Sequence, residues 1–194
     1  MNMALDQMNE MSDETLLDLY GQGDPAAARA LTLRLTPRVL GYAARLLTDR
    51  AEAEDVTQEA MLRLWKMAPD WRSGEAKVST WLYRVVTNLC TDRLRRTRGV
   101  DIDAVPEPED DQPAADERLQ QATRMAALDK ALATLPDRQR EAVVLRHIEG
   151  LSNPEIAEIL DISVEAVESL TARGKRALAA ALSDQREELG YSNG

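Results

Sequence analysis

Phenylalanine is absent from the 194-residue sequence, and cysteine and histidine occur once each, as Cys90 and His147. A single cysteine excludes an intrachain disulfide, and one thiol with one imidazole cannot complete a zinc site. We therefore expect no metal and no other cofactor. No stretch reaches the roughly 20 uninterrupted apolar residues that span a bilayer, and the acidic, polar N-terminus is unlike a signal peptide. These absences predict a cytoplasmic protein without membrane insertion.

The composition favours helices. Hydrophobic residues make up 44% of the chain and charged residues 30%, and the commonest residue types are good helix formers. No alternating strand pattern and no repeat of 20 to 50 residues is present. The sequence predicts an all-α protein, with helices over residues 13–21, 25–48, 51–67, 78–97, 117–134, 137–148, 153–160 and 164–184.

Charge is distributed unevenly. The net charge is −10, yet Trp81 to Arg98 contains five arginines and one aspartate. Residues 101–118 then contain eight acidic residues and one arginine. This acidic segment has three prolines and little apolar periodicity, which is typical of a linker, although a long surface loop within one domain is the alternative. We predict two small helical domains, residues 10–98 and 119–184, joined by a flexible acidic linker, residues 99–118.

The C-terminal half contains a helix-turn-helix pattern. Ser152 and Glu155 form a capping-box sequence, with Pro154 in the first turn. Asp161 can adopt a left-handed conformation in the following turn, and Ser163 can cap the next helix. A short capped helix, a three-residue turn and a second amphipathic helix match the motif that places a recognition helix in the major groove. An ordinary corner between two helices would show the same spacing.

The second helix has two distinct faces. At about 100° per residue, one face is predicted to pack inward and the other to face DNA. The inward residues are Val164, Val167, Leu170, Gly174 and Leu178, and the outward residues are Glu165, Glu168, Ser169, Ala172, Arg173 and Arg176.

Two further patterns lie in the N-terminal half. Asp55, Gln58, Glu59 and Leu62 share a helix face, and Trp65 follows one turn later. This face is either a solvated acidic stripe or a surface for a partner helix. All three tryptophans (65, 71 and 81) and Tyr83 precede the arginine cluster. Aromatic rings beside arginines suit single-stranded nucleic acid, while burial of the tryptophans in the core is the alternative.

Taken together, these motifs resemble the extracytoplasmic-function branch of bacterial sigma factors, over residues 12–180. The strings that carry the resemblance are AEDVTQEAMLRLW (53–65), STWLYRVVTNLCTDRLRR (79–96) and LPDRQREAVVLRHIEGLSNPEIAEILDISVEAVESLTARGKRAL (135–178).

The resemblance implies a role for each pattern and no enzymatic activity. Core RNA polymerase, through its beta-prime and beta subunits, promoter DNA and an anti-sigma factor are the implied partners, in a stress response. The surface implied to bind core polymerase comprises Asp55, Gln58, Glu59, Leu62, Arg63 and Trp65. The residues implied to bind and melt the minus-10 element are Trp71, Trp81, Tyr83, Arg84, Asn88, Arg93, Arg95 and Arg96, with loop 67–77 capturing a flipped base. Those implied to read the minus-35 element are Ser163, Glu165, Ala166, Glu168, Ser169, Arg173 and Arg176.

Some residues depart from the family pattern. Many relatives have basic residues where this helix has Glu168 and Leu170, and glycine where it has Asp161, which changes the expected minus-35 sequence rather than the fold. Two alternatives remain: a stand-alone dimeric helix-turn-helix regulator, and a helical hydrolase using Glu52, Glu54 and Asp55. The hydrolase lacks a nucleophile–base pair, a metal set and a phosphate loop.

Overall fold

The structure is a computed structural model, which describes residues 8, 10–72, 74, 76–100 and 117–188. Most of the predicted linker, residues 101–116, lies outside these described residues, as do positions 73 and 75 of loop 67–77. Within the described residues the secondary structure is helical, without strands, which confirms the predicted all-α fold. None of the helices in these ranges is long and apolar enough to cross a membrane.

Four helices form the N-terminal domain, and four form the C-terminal domain, within the part of the chain that the structure describes. The first four are α1 (Asp13–Gly21), α2 (Pro25–Leu47), α3 (Arg50–Met67) and α4 (Val78–Val100), with a 3-10 turn at Ala68–Asp70. The others are α5 (Glu117–Ala133), α6 (Asp137–Val143), which continues as a π-helical turn (Val144–Ile148), α7 (Asn153–Leu160) and α8 (Val164–Glu188). Helix ends fall within a few residues of the predicted ranges.

Side-chain caps fix where several helices begin. The Asp24 carboxylate accepts a hydrogen bond from Ala26 N at 2.8 Å, which satisfies a backbone donor at the start of α2 that has no partner inside the helix. At α7 the Glu155 carboxylate accepts from Ser152 N at 2.8 Å, as the capping-box sequence predicts. Asp161 has φ 54° and ψ 51°, and Ser163 Oγ accepts from Ala166 N at 3.2 Å. The turn of the helix-turn-helix therefore forms as its residues predict.

The N-terminal domain is built around α2, which packs against α1, α3 and α4. Tyr42 of α2 is fully buried. Its hydroxyl lies 2.8 Å from Thr87 Oγ1, and its ring meets the Tyr83 ring edge to face at 5.2 Å. A buried hydroxyl needs such a partner, so the pairing of Tyr42 with Thr87 fixes the position of α4 on α2.

In the C-terminal domain, α8 packs against α6, α7 and α5. The π-helical turn that ends α6 is closed by a hydrogen bond from Glu149 N to the Val144 carbonyl oxygen at 3.0 Å. This wider turn spans five residues, one more than an α-helical turn, and so changes the direction in which the following side chains point.

The two domains contact each other directly. Helix α7 packs on α4, and α2 contacts α5, α6 and the π-helical turn. Buried apolar side chains of both domains form one cluster. The side chain of Arg140, in α6, is 6% exposed, and its Nη1 donates to the Leu46 carbonyl oxygen of α2 at 3.0 Å. The described chain is therefore in a closed arrangement.

Gly174 allows α8 to approach α6 closely. A Cβ atom there would lie 2.6 Å from Val143 Cγ2 and 3.1 Å from the Gln139 carbonyl oxygen. We predict that Gly174→Ala lowers the free energy of unfolding by up to ~2 kcal/mol, because overpacking costs ~1–3 kcal/mol and is only partly offset by the ~1 kcal/mol gain in helix propensity. Urea denaturation followed by circular dichroism measures the change.

Gly99→Ala is the matched control, because a Cβ atom at Gly99 in α4 would meet nothing within 4 Å. Its stability should be unchanged or slightly raised. Equal effects of the two substitutions would contradict the close approach of α6 and α8.

Candidate nucleic-acid and partner-protein interfaces

A surface groove with a volume of about 500 Å³ lies between α2 and α3. Leu62 is 52% exposed, and the Thr36 hydroxyl is buried without a hydrogen-bond partner among the described residues. The groove is lined by Thr32, Thr36, Leu40, Glu54, Asp55, Thr57, Gln58, Met61, Leu62 and Trp65. The structure thus places four of the six residues predicted to bind a partner helix, Asp55, Gln58, Leu62 and Trp65, around one concave surface.

The other two predicted partner-binding residues form an ion pair beside the groove. Arg63 Nη2 lies 2.6 Å from Glu59 Oε1, one helical turn apart on α3. The Trp65 ring packs edge to face on Tyr20 at 4.9 Å, and its side chain is half-buried. Packing on Tyr20 holds the indole at one end of the groove, so a partner helix would meet a fixed apolar surface rather than a mobile one.

Helix α4 presents a cationic face to solvent. Arg84, Asn88, Arg95 and Arg96 are exposed, and no ion pair within the described ranges involves their guanidinium groups. Arg93 differs, because it forms an ion pair with Glu52 of α3. That ion pair and the nearby Asp55 raise the pKa of the guanidinium. Three of the four predicted DNA-binding arginines, Arg84, Arg95 and Arg96, are therefore available to phosphate. The fourth, Arg93, is held by acidic side chains.

The predicted aromatic residues are less accessible than stacking on bases requires. Trp71 and Trp81 are half-buried, and Trp71 Nε1 has no hydrogen-bond partner in the described chain. Tyr83 is 2% exposed. Its hydroxyl forms a hydrogen bond with the Glu149 carboxylate, and burial raises the pKa of this phenol. The contact of Tyr83 with DNA stays a prediction, and it requires the two domains to separate.

The predicted reading face of α8 is open to solvent. Val167 and Gly174 are buried on the inward face, while Val164, Leu170 and Leu178 are half-buried. The predicted outward residues Glu165, Glu168, Ser169, Ala172, Arg173 and Arg176 are all exposed. Of the other two residues implied to read the minus-35 element, Ser163 is exposed and Ala166 is half-buried. The inward and outward faces therefore lie where the helical periodicity predicts. An exposed, polar recognition helix is what readout of base edges in the major groove requires.

Known families match the two halves of the chain. Residues 31–100 match sigma-70 region 2, and residues 125–178 match sigma-70, region 4. The ECF RNA polymerase sigma factor SigM of Mycobacterium tuberculosis is 38% identical over 172 residues, which cover 88% of this chain and 85% of SigM. The chain belongs to the extracytoplasmic-function sigma factors of the sigma-70 family.

A further relative and a solved structure are also similar to this chain. The sigma factor is 36% identical over 177 residues to the ECF RNA polymerase sigma factor SigE of Mycolicibacterium smegmatis, over 88% of this chain and 68% of SigE. Among solved structures it is similar to CnrH in complex with the cytosolic domain of CnrY, with a TM-score of 0.66, 26% identity, and coverage of 89% of this chain and 97% of that one.

A second solved structure shares the fold. This is the sigma factor RpoE of Bartonella quintana in complex with the anti-sigma factor NepR, with a TM-score of 0.63 and 23% identity. The match covers 80% of this sigma factor and 96% of that chain.

Sequence patterns did not reveal the contacts between the domains of this sigma factor. Arg38 Nε lies 3.7 Å from Glu149 Oε2, and Lys77 Nζ lies 2.6 Å from Glu155 Oε1. Each pair joins residues far apart in sequence, so helical periodicity contains no signal for it. The strongly charged segments, residues 81–98 and 101–118, contain none of these four residues, so the charge distribution gives no signal for the pairs either.

The sole cysteine of the sigma factor is chemically protected. Burial raises the pKa of the Cys90 thiol to about 12, and its side chain is 0% exposed. Because the thiolate is the reactive form, we predict that Ellman's reagent at pH 8 modifies the native protein at least ~100-fold more slowly than the urea-unfolded protein, whose thiol has a pKa of about 8.5. Similar rates in the two states would contradict the burial of Cys90.

Proposed function

We propose that this sigma factor binds core RNA polymerase through its beta-prime and beta subunits and directs it to promoters in the cytoplasm, with no catalytic role of its own. The observation that carries the proposal is the combination of three surfaces on one chain. They are the groove between α2 and α3, the cationic face of α4 and the exposed face of α8. A stand-alone regulator would have no use for the first two.

The groove supports binding to a helix of the polymerase. An exposed leucine flanked by Gln58 and Asp55 offers an apolar contact with a polar rim, the usual arrangement of a protein interface. Trp65, held by Tyr20, supplies the kind of rigid aromatic surface that often dominates binding energy. We assign the polymerase contact to Asp55, Gln58, Glu59, Leu62, Arg63 and Trp65.

The cationic face of α4 supports recognition of the minus-10 element. Exposed guanidinium groups at Arg84, Arg95 and Arg96 can bind phosphates along one strand. Unpaired bases become accessible once the duplex opens, and stacking on Trp71 or Trp81 then requires the face of the half-buried indole to be uncovered. Asn88, on the same exposed face, can hydrogen-bond to a base.

The outward face of α8 supports recognition of the minus-35 element in the duplex. Arg173 and Arg176 can bind guanine or phosphate, whereas Glu168 can accept a hydrogen bond from cytosine N4 but repels phosphate. Because of these carboxylates, we expect this helix to recognise a different minus-35 sequence from one recognised by a wholly basic helix. They also weaken the binding of the isolated sigma factor to DNA. We therefore propose that core polymerase supplies the additional contacts that make the holoenzyme bind promoters tightly.

Control by an anti-sigma factor in a stress response completes the proposal. The support is that one sigma factor of the same fold, RpoE of Bartonella quintana, has been solved in complex with an anti-sigma factor. A linker over residues 99–118 allows the two domains to separate on polymerase and to come together in an inhibited state.

The polymerase contact can be tested by truncating one exposed leucine. We predict that Leu62→Ala weakens binding to core polymerase about tenfold, because a central apolar interface contact contributes ~1–2 kcal/mol. Fluorescence anisotropy of the labelled sigma factor with core polymerase measures the affinity. Leu33→Ala is the control, since Leu33 is 65% exposed on α2 and does not line the groove. Equal losses in both variants would contradict the assignment.

The two DNA contacts can be separated with matched arginine substitutions. The template is a promoter selected from a random library by wild-type holoenzyme, with and without its minus-35 element. We predict that Arg173→Ala weakens holoenzyme binding ~10-fold on the full promoter, as loss of one base contact of ~1–3 kcal/mol implies, and has no effect once the minus-35 element is deleted.

Arg84→Ala should instead show a defect that does not depend on the minus-35 element. We predict that this substitution reduces promoter opening, followed by 2-aminopurine fluorescence in the minus-10 element, to the same extent on both templates. An Arg173→Ala defect that persisted without the minus-35 element would contradict the assignment of α8.

A further inference from the structure

A stripe of three carboxylates runs along α3 beside the groove. Glu52, Asp55 and Glu59 follow one another at spacings of three and four residues, so their side chains share one face of the helix. Like charges at these spacings repel each other and destabilise a helix. Cations are therefore needed on this face to offset the repulsion.

Two of the three carboxylates are in direct contact with an arginine. Glu59 Oε1 lies 2.6 Å from Arg63 Nη2, one turn further along α3. Glu52 accepts a hydrogen bond from Arg93, whose guanidinium comes from α4. A cation in direct contact neutralises each of these carboxylates and reduces its attraction for a partner molecule.

Asp55, between them, has a different environment. Its Oδ2 lies 3.9 Å from Arg93 Nη1, which is close enough for electrostatic attraction but too long for a hydrogen bond. No other ion pair of Asp55 occurs within the described ranges. The side chain is 68% exposed and lines the groove. Both of its carboxylate oxygens are therefore oriented by a cation and still able to accept hydrogen bonds from a bound protein.

Arg93 lies against this acidic stripe and not on the cationic face of α4. It follows the buried Cys90 by three residues, so the packing of α4 turns its side chain toward α3. Only 25% of the Arg93 side chain is exposed. A DNA phosphate would have to displace the Glu52 carboxylate to reach the guanidinium. The minus-10 role that the family resemblance implies for Arg93 therefore conflicts with its surroundings.

We infer that Arg93 is a positioning residue for polymerase binding and does not contact DNA: it neutralises Glu52 and holds the Asp55 carboxylate at the groove. This inference rests on the proposed function, because it assigns Arg93 to the polymerase surface through Asp55. An exposed side chain that is oriented before binding loses less conformational entropy on association. Without Arg93, repulsion from Glu52 and Glu59 turns the Asp55 carboxylate out of the orientation that the partner requires.

Polymerase affinity tests the role of Arg93 first. We predict that Arg93→Met weakens binding of the full-length sigma factor to core polymerase about fivefold, the loss expected for one exposed charge interaction. Arg93→Lys keeps the positive charge and should retain most of the affinity. The control, Arg29→Met, removes the same charge from an exposed position of α2 outside the groove and should bind like wild type. Undiminished binding by Arg93→Met, or an equal loss in the control, overturns the inference.

A double-mutant cycle with Asp55 separates positioning from a general loss of stability. If Arg93 acts through Asp55, Arg93→Met should cause little further loss in an Asp55→Ala background, because the group that it positions is gone. If the two losses multiply in the double variant, the side chains act independently and the inference is overturned. Unchanged affinity of Asp55→Ala alone would contradict the proposed polymerase surface itself, and the inference with it.

Promoter opening distinguishes a polymerase-positioning role from a DNA contact. With saturating core polymerase, Arg93→Met should open the minus-10 element as wild type does, followed by 2-aminopurine fluorescence, because concentration overcomes the weaker binding. Arg95→Met removes an exposed arginine of the cationic face and should reduce opening in the same assay. Equal defects in these two variants would assign Arg93 to DNA and overturn the inference.

Discussion

Burial of one face of α4 is the constraint on which most of the structure depends. This helix packs against α1, α2 and α3 in its own domain and against α7 in the other. Leu82 and Val86 are buried among these helices. Since successive residues lie about 100° apart around a helix, burial of this face turns Arg84 and Asn88 toward solvent. The same packing thus stabilises the N-terminal domain and presents the cationic surface.

Much of this architecture could be predicted from the sequence, because helix caps, turns and helix faces depend on interactions between residues close together in the chain. Capping residues such as Asp24 and Ser163 satisfy backbone donors within a few positions. Asp161 suits the turn because aspartate tolerates a left-handed backbone conformation. Periodicity likewise places Val167 inward and Arg173 outward on α8. Each of these inferences depends on neighbours in the chain, which is why helices and the faces of the recognition helix could be predicted.

Contacts between distant residues could not be predicted in this way. Tyr83 has the sequence context of a DNA-binding aromatic residue, yet it is buried between Tyr42 and Glu149. Arg140 looks like a surface arginine of an amphipathic helix, but it donates to a backbone carbonyl of α2. In both cases a residue of the other domain, or of another helix, decides the environment. No local pattern specifies such a partner, and the residue roles in binding polymerase and DNA likewise depend on molecules outside the chain.

Because of the π-helical turn at Val144–Ile148, the relative orientation of the two domains depends on the number of residues in this turn. One extra residue in a turn rotates everything that follows by about 100° relative to a regular α-helix. Glu149 lies directly after this turn, and α7 begins four residues later. A single deletion here would therefore do more than shorten a loop: it would turn the Glu149 carboxylate away from Arg38 and reorient the entire helix-turn-helix. Because Val144 and Leu145 in this turn are fully buried, such a deletion would also disturb the core packing of the C-terminal domain.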